Sequence, residues 1–226
     1  MYRRRVTLNR LMPLDVVQLP VGPFPVNCYL VRRPGAEEAV VVDPGFDAPA
    51  IRLELAGRGA RCVAILITHA DVDHIAAVAD LAEGTGAPVH IAEDDRERLE
   101  RAGDFLPPGI AISVRPYAPE VVLAGDETLA LAGIVFETLR IPGHAPAHLA
   151  FATEGCLFSG DLVFAGSVGR TDRPGGDFPA LLASVSMLAE RFPPETLLYP
   201  GHGPPTTLGH ELATNPFLAD LRTARR

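Results

Sequence analysis

The chain has 226 residues, 47% of them hydrophobic and 21% charged, with a formal net charge of −8. A chain of this length buries roughly 70% of its unfolded surface, needs no disulfide or metal merely to hold together, and reads most simply as one domain over residues 1–226. Its net negative charge, with arginine as the only basic residue besides histidine, argues against a nucleic-acid groove, and no apolar run approaches the roughly 20 residues of a membrane span.

Arg3-Arg4-Arg5 is too short and isolated to make a basic patch. Asp15 to Leu19, Asn27 to Arg32 and Ala39 to Asp43 read as valine-rich strands, with Gly22-Pro23 and Pro34-Gly35 as turns between them. Ala48 to Arg58 has helical periodicity. Cys62 to Ile67 is an almost wholly apolar strand of the kind covered on both faces. A helix from about His74 to Glu83 and the strand Pro88 to Ile91 follow, and Asp94 to Pro119 gives only a weak signal. From Val121 the pattern predicts antiparallel β: Val121 to Ala124, Thr128 to Leu131, Ile134 to Arg140, Leu149 to Thr153 and Cys156 to Ser159. Phe178 to Arg191 reads as helix, Leu197 to Tyr199 as a short strand, and Gly209 to about Arg222 as one or two helices. Helices do not simply alternate with strands, so the expected class is α+β, or two packed sheets with helices outside.

Cys28, Cys62 and Cys156 lie singly in apolar stretches without a CxxC spacing, which predicts buried free thiols in a reducing compartment. The N-terminus shows no compact apolar segment followed by a cleavage signal, so the expected location is the cytoplasm.

The polar residues that directly follow apolar strands form a pattern. Thr68 to His74 follows one strand, and Gly143-His144, Gly160-Asp161 and Gly201-His202 follow three others. Together these strand ends deliver His69, Asp71, Asp73, His74, His144, Asp161 and His202. Such nitrogen and oxygen donors without thiolate suit zinc, iron or manganese, and exclude a cysteine-rich structural zinc site.

THADVDH (Thr68 to His74) resembles the THxHxDH signature of the metallo-β-lactamase superfamily. IPGHAPAH (Ile141 to His148), SGDLVF (Ser159 to Phe164) and PGHG (Pro200 to Gly203) look like its later motifs, in the same order. GSVGRTDRPGGD (Gly166 to Asp177) and GHGPPTTLGHELATNPFL (Gly201 to Leu218) narrow the resemblance to the glyoxalase II-like hydrolases. It runs from about Gly22 to Leu218 and implies a four-layer αββα sandwich.

By position, the resemblance implies one metal pocket from His69, residue 71 and His144, and a second from Asp73, His74 and His202, with Asp161 bridging. It implies two zinc ions per chain, with iron or manganese as alternatives, and a small-molecule thioester substrate attacked by hydroxide. Asp73 would orient that nucleophile. Asp43 would hold the loops or serve a turn, Thr68 would brace them, and His148 would support rather than ligate. Arg170 and Asp172 would form a buried, paired structural element.

The departure is Asp71, where the family pattern has histidine. A carboxylate reaches less far than an imidazole and adds negative charge, which puts occupancy of the first pocket in question. Two other readings stay open: a mono-iron persulfide dioxygenase using His69, His144 and Asp161, and a metal-binding interaction or regulatory protein with an impaired site.

Overall fold

A computed structural model describes residues 13–106 and 112–224, so Arg3 to Arg5 lie outside the described residues. The valine-rich segments form β1 (Asp15–Val21), β2 (Val26–Arg32) and β3 (Glu38–Val42), paired antiparallel. Helix α1 (Ala48–Gly57) starts where the Asp47 carboxylate accepts the Ala50 N–H and Pro49 occupies the first turn. Beyond it, β4 (Arg61–Leu66), β5 (Val89–Ala92) and β6 (Val121–Leu123) extend the sheet in parallel from β3, giving six strands in chain order.

The second sheet contains β7 (Thr128–Leu131), β8 (Ile134–Arg140), β9 (Leu149–Thr153) and β10 (Cys156–Gly160), all antiparallel. After a small hairpin of β11 (Val163–Phe164) and β12 (Ser167–Val168) comes helix α5 (Phe178–Arg191). Strand β13 (Leu197–Pro200) then pairs parallel with β10, and β14 (Thr206–Thr207) forms the edge.

Strands covered on both faces have to serve two cores, and they do. Alternate residues Val40, Val42, Ala64 and Leu66 pack against Phe136, Phe151 and Phe158 of the second sheet. Val41, Ile65 and Ile67 join Ile51 and Leu55 of α1 and the buried face of α3 (Val78–Thr85). A third core sets Leu139, Leu157 and Leu198 against Leu181, Val185 and Leu188 of α5 and Leu208 of α6 (Leu208–Thr214). The layers are therefore αββα, the architecture that the motifs imply, with α7 (Ala219–Ala224) at the end of the described chain. Among the described residues, no helix is long and apolar enough to cross a membrane.

Two local readings are corrected. Val121 to Ala124, expected in the antiparallel meander, instead supplies β6, parallel to β5 in the first sheet. The weakly patterned stretch before it is a crossover containing the short helix α4 (Arg96–Glu100), and parallel neighbours need a connection of that length. The helix expected from His74 is also split into α2 (Val72–Ile75) and α3, because the Ala77 N–H donates to Gly45 O at 2.5 Å, a partner outside the helix.

Candidate metal centre

Strands of both sheets end on the same edge, and their ends bring the polar residues together. Asp43 ends β3 with a left-handed φ of 49°. Thr68 and His69 follow β4, Asp73 and His74 lie on α2, and His144, Asp161 and His202 follow β8, β10 and β13. Ligand sites in sheets of this kind form beyond the carboxyl ends of strands.

Three donor groups have ligand atoms within 4.8 Å of one another: His69, Asp71 and His144; His69, His74 and Asp161; and Asp73, His74 and His202. Asp161 spans them, with Oδ1 3.4 Å from His74 Nε2 and Oδ2 3.8 and 3.5 Å from the Nε2 atoms of His144 and His202. Asp73 Oδ2 lies 3.2 Å from His202 Nε2. All the residues that the sequence singles out as donors thus meet in one region.

The donors fit a cation. Nε2 of His69, His74 and His144 and Oδ1 of Asp161 are buried without a hydrogen-bond partner. Buried polar atoms without partners are costly, and here they converge. The opposite ring nitrogens are tied down: His144 Nδ1 to Arg170 O at 2.8 Å, His202 Nδ1 to Pro25 O at 3.2 Å and His74 Nδ1 to Asp43 Oδ2 at 2.9 Å. His69 Nδ1 meets Thr68 Oγ1 at 3.0 Å, and that hydroxyl donates to Asp43 Oδ2 at 2.7 Å. Each ring therefore donates from Nδ1 and presents a lone pair at Nε2, the arrangement that orients histidine ligands.

Asp43 is the hub, since its Oδ1 also accepts the Thr68 N–H at 2.8 Å. Asp43→Asn keeps a residue type that tolerates left-handed backbone, but an amide nitrogen cannot accept from Thr68 and His74. Ion affinity is expected to fall ~10–100-fold, measured by chelator competition. Unchanged affinity would make this relay incidental.

Burial holds His69 well below the ordinary imidazole range, with His74 and His148 adding to the effect. Burial also opposes charge on His74, but Asp161 and Asp43 outweigh it and raise its pKa. Against the same burial, Asp71 and Asp161 raise His144, and Asp73 and Asp161 raise His202. Asp161 is pushed up by burial but held well down by His74, His202 and His144. Ion uptake by these imidazoles and carboxylates would displace protons from them.

His148 is fully buried behind these rings, and burial lowers it to about 3, so it is a neutral packing ring. Arg170 and Asp172 are paired at 2.7 Å as expected, but their side chains are 52% and 70% exposed, which corrects the reading of a buried element. The contribution from this loop to the donors is a backbone carbonyl, Arg170 O.

Sequence reasoning missed the surroundings of Asp71. Its Oδ2 lies 3.3 Å from His144 Nε2 and 4.0 Å from His69 Nε2, while its Oδ1 accepts from Arg98 Nη2 at 3.1 Å. Asp95, three residues before Arg98, is buried and accepts the Ala70 N–H at 2.9 Å. The i, i+3 spacing of Asp95 and Arg98 at the start of a helix was the available signal.

Known proteins resemble this chain over most of its length. A family model described as the metallo-beta-lactamase superfamily matches residues 21–202. Hydroxyacylglutathione hydrolase GloC of Haemophilus influenzae is 30% identical over 213 residues, covering 91% of this chain and 98% of its own. The crystal structure of BLEG-1 B3 metallo-beta-lactamase superposes with a TM-score of 0.84 at 36% identity, over 91% of this chain and all (100%) of that one. TTHA1623 in a di-iron-bound form gives 0.70 at 40% identity, over 90% and 100%. The chain belongs to the metallo-beta-lactamase superfamily, among its metal-dependent hydrolases.

Proposed function

We propose that the protein hydrolyses a small thioester of the hydroxyacylglutathione kind to a carboxylic acid and a thiol. The observation that carries this reading is the gathering of the unpartnered Nε2 atoms and Asp161 Oδ1 in one buried region beneath a cleft. The description of GloC as a hydroxyacylglutathione hydrolase supports the thioester class. His69, Asp71 and His144 would hold one ion, and Asp73, His74 and His202 a second, with Asp161 between them. Zinc, two per chain, is the expected metal, and the di-iron form of TTHA1623 supports iron as the alternative. Bound here, such ions would supply Lewis acidity and bring the pKa of water down to about 7.

The remaining work falls to the protein. Asp73 orients the attacking water, and Asp161 fixes the spacing of the two donor groups. The cleft above them holds about 370 Å³, with Phe24, Val72, Phe164 and Val168 as apolar walls for an acyl chain. Arg170 and Arg173, which also line it, favour an anionic substrate. No thiol competes as nucleophile, because burial pushes Cys62 and Cys156 up to about 12 and Cys28 well above its ordinary value.

The test is thiol release from S-D-lactoylglutathione by protein stripped with chelator and reloaded with zinc, manganese or iron(II). Turnover restored by at least one ion is expected. Turnover that survives full chelation, or fails with every ion, overturns the proposal. One iron per chain with oxygen uptake on glutathione persulfide would assign the dioxygenase reading instead.

A further inference from the structure

Asp71 sits at the N-cap of α2, where a carboxylate ordinarily accepts a backbone N–H of the first turn, yet it makes no capping hydrogen bond. Its two oxygens are divided instead. Oδ2 faces His144 and His69, and Oδ1 is held by Arg98. Arg98 is itself held: its guanidinium lies over the Phe105 ring, 5.6 Å from the centroid. The turn that carries it is anchored to the same loop through Asp95 and the Ala70 N–H. One short segment after β5 therefore grips two consecutive residues of the ligand loop.

We propose that Arg98 is a positioning residue for Asp71: it fixes one carboxylate oxygen so that the other is presented between His69 and His144. The inference rests on reading His69, Asp71 and His144 as a metal pocket. A neutral ligand needs no such partner, whereas an acidic one in a mostly buried site does. A guanidinium can bind one carboxylate edge in a fixed plane, which an ammonium does less well. Arg173 differs in kind. Its Nη1 lies 3.6 Å from Oδ2, the oxygen facing the histidines, so it competes with an ion there.

The experiment measures zinc affinity by competition with a chromophoric chelator, in a His202→Ala background so that the ion counted belongs to the first pocket. Arg98→Met is expected to weaken binding ~10–100-fold, the usual scale for a residue that orients a ligand. Arg98→Lys restores part of the loss, and Arg173→Met causes none. In an Asp71→His chain the sign reverses: Arg98→Met strengthens binding, because an unpaired guanidinium beside a neutral ligand only repels the cation. The proposal is overturned if Arg98→Met leaves affinity unchanged, if Arg173→Met weakens it equally, or if Arg98→Met weakens it by the same factor in the Asp71→His chain. Absence of any ion in the otherwise unaltered protein would overturn the metal reading itself, an outcome distinct from failure of Arg98 alone.

Discussion

Asp161→Asn is expected to lower ion affinity and hydrolysis together by at least ~100-fold, at or beyond the upper end of what loss of a merely orienting partner costs. Asp161 is the residue whose oxygens approach donors of both groups, with His74 on Oδ1 and His144 and His202 on Oδ2. Asparagine keeps the shape but removes the charge and replaces one acceptor with a donor, which faces imidazole nitrogens or a cation unfavourably. Ion content after dialysis and thiol release are the readouts. Loss of activity with both ions retained would show that Asp161 acts on substrate rather than on the metal pockets.

The same variant carries a pH signature in the metal-free protein. The depressed carboxylate of Asp161 contributes stability above its unfolded value of 3.8, which is lost as pH falls through the lower folded value. The raised His74 contributes stability below 6.5, lost as pH rises through its higher folded value. Both contributions are present between these limits. The stability deficit of Asp161→Asn should therefore be largest near pH 5 and shrink in the alkaline range, as read by thermal unfolding in chelator. A deficit independent of pH would mean that packing, not the charge pair, dominates.

Much of this centre was legible in the sequence because metal chemistry demands short-range order. THADVDH places donors on one strand end and the first turn of one helix, which local spacing alone brings close. His144, Asp161 and His202 follow apolar strands beside glycine, so their placement at an edge could be read too, although their convergence with His69 required the fold. Arg98 left only the local trace of its i, i+3 spacing from Asp95, because its contact crosses from α4 to the ligand loop and its own segment lacks the hydrophobic period that marks burial. The sheet joined by β6 is likewise set by the crossover before it, not by its three apolar residues. Arg170 and Asp172 were paired correctly, since a pair two residues apart is local; their exposure depends on the outward path of the loop.

Gly201→Ala tests the geometry without replacing a donor. A Cβ at this position would stand 2.1 Å from Asp161 Oδ1 and 2.8 Å from His74 Cε1. The backbone cannot retreat easily, because the Gly201 N–H donates to Gly160 O at 2.8 Å and Gly201 O accepts the Asn27 N–H at 2.7 Å. The methyl group must displace Asp161, the residue between the two donor groups. Overpacking of this kind costs about 1–3 kcal/mol, so the fold should survive by circular dichroism while ion content and thiol release fall ~100-fold, as for a displaced orienting contact. Since both substitutions act through Asp161, combining Gly201→Ala with Asp161→Asn should add little to either alone, the non-additivity expected of residues in contact. Additive losses would place the effect of Gly201 elsewhere, and an alanine variant with full ion content would show that the loop yields where its hydrogen bonds say it cannot.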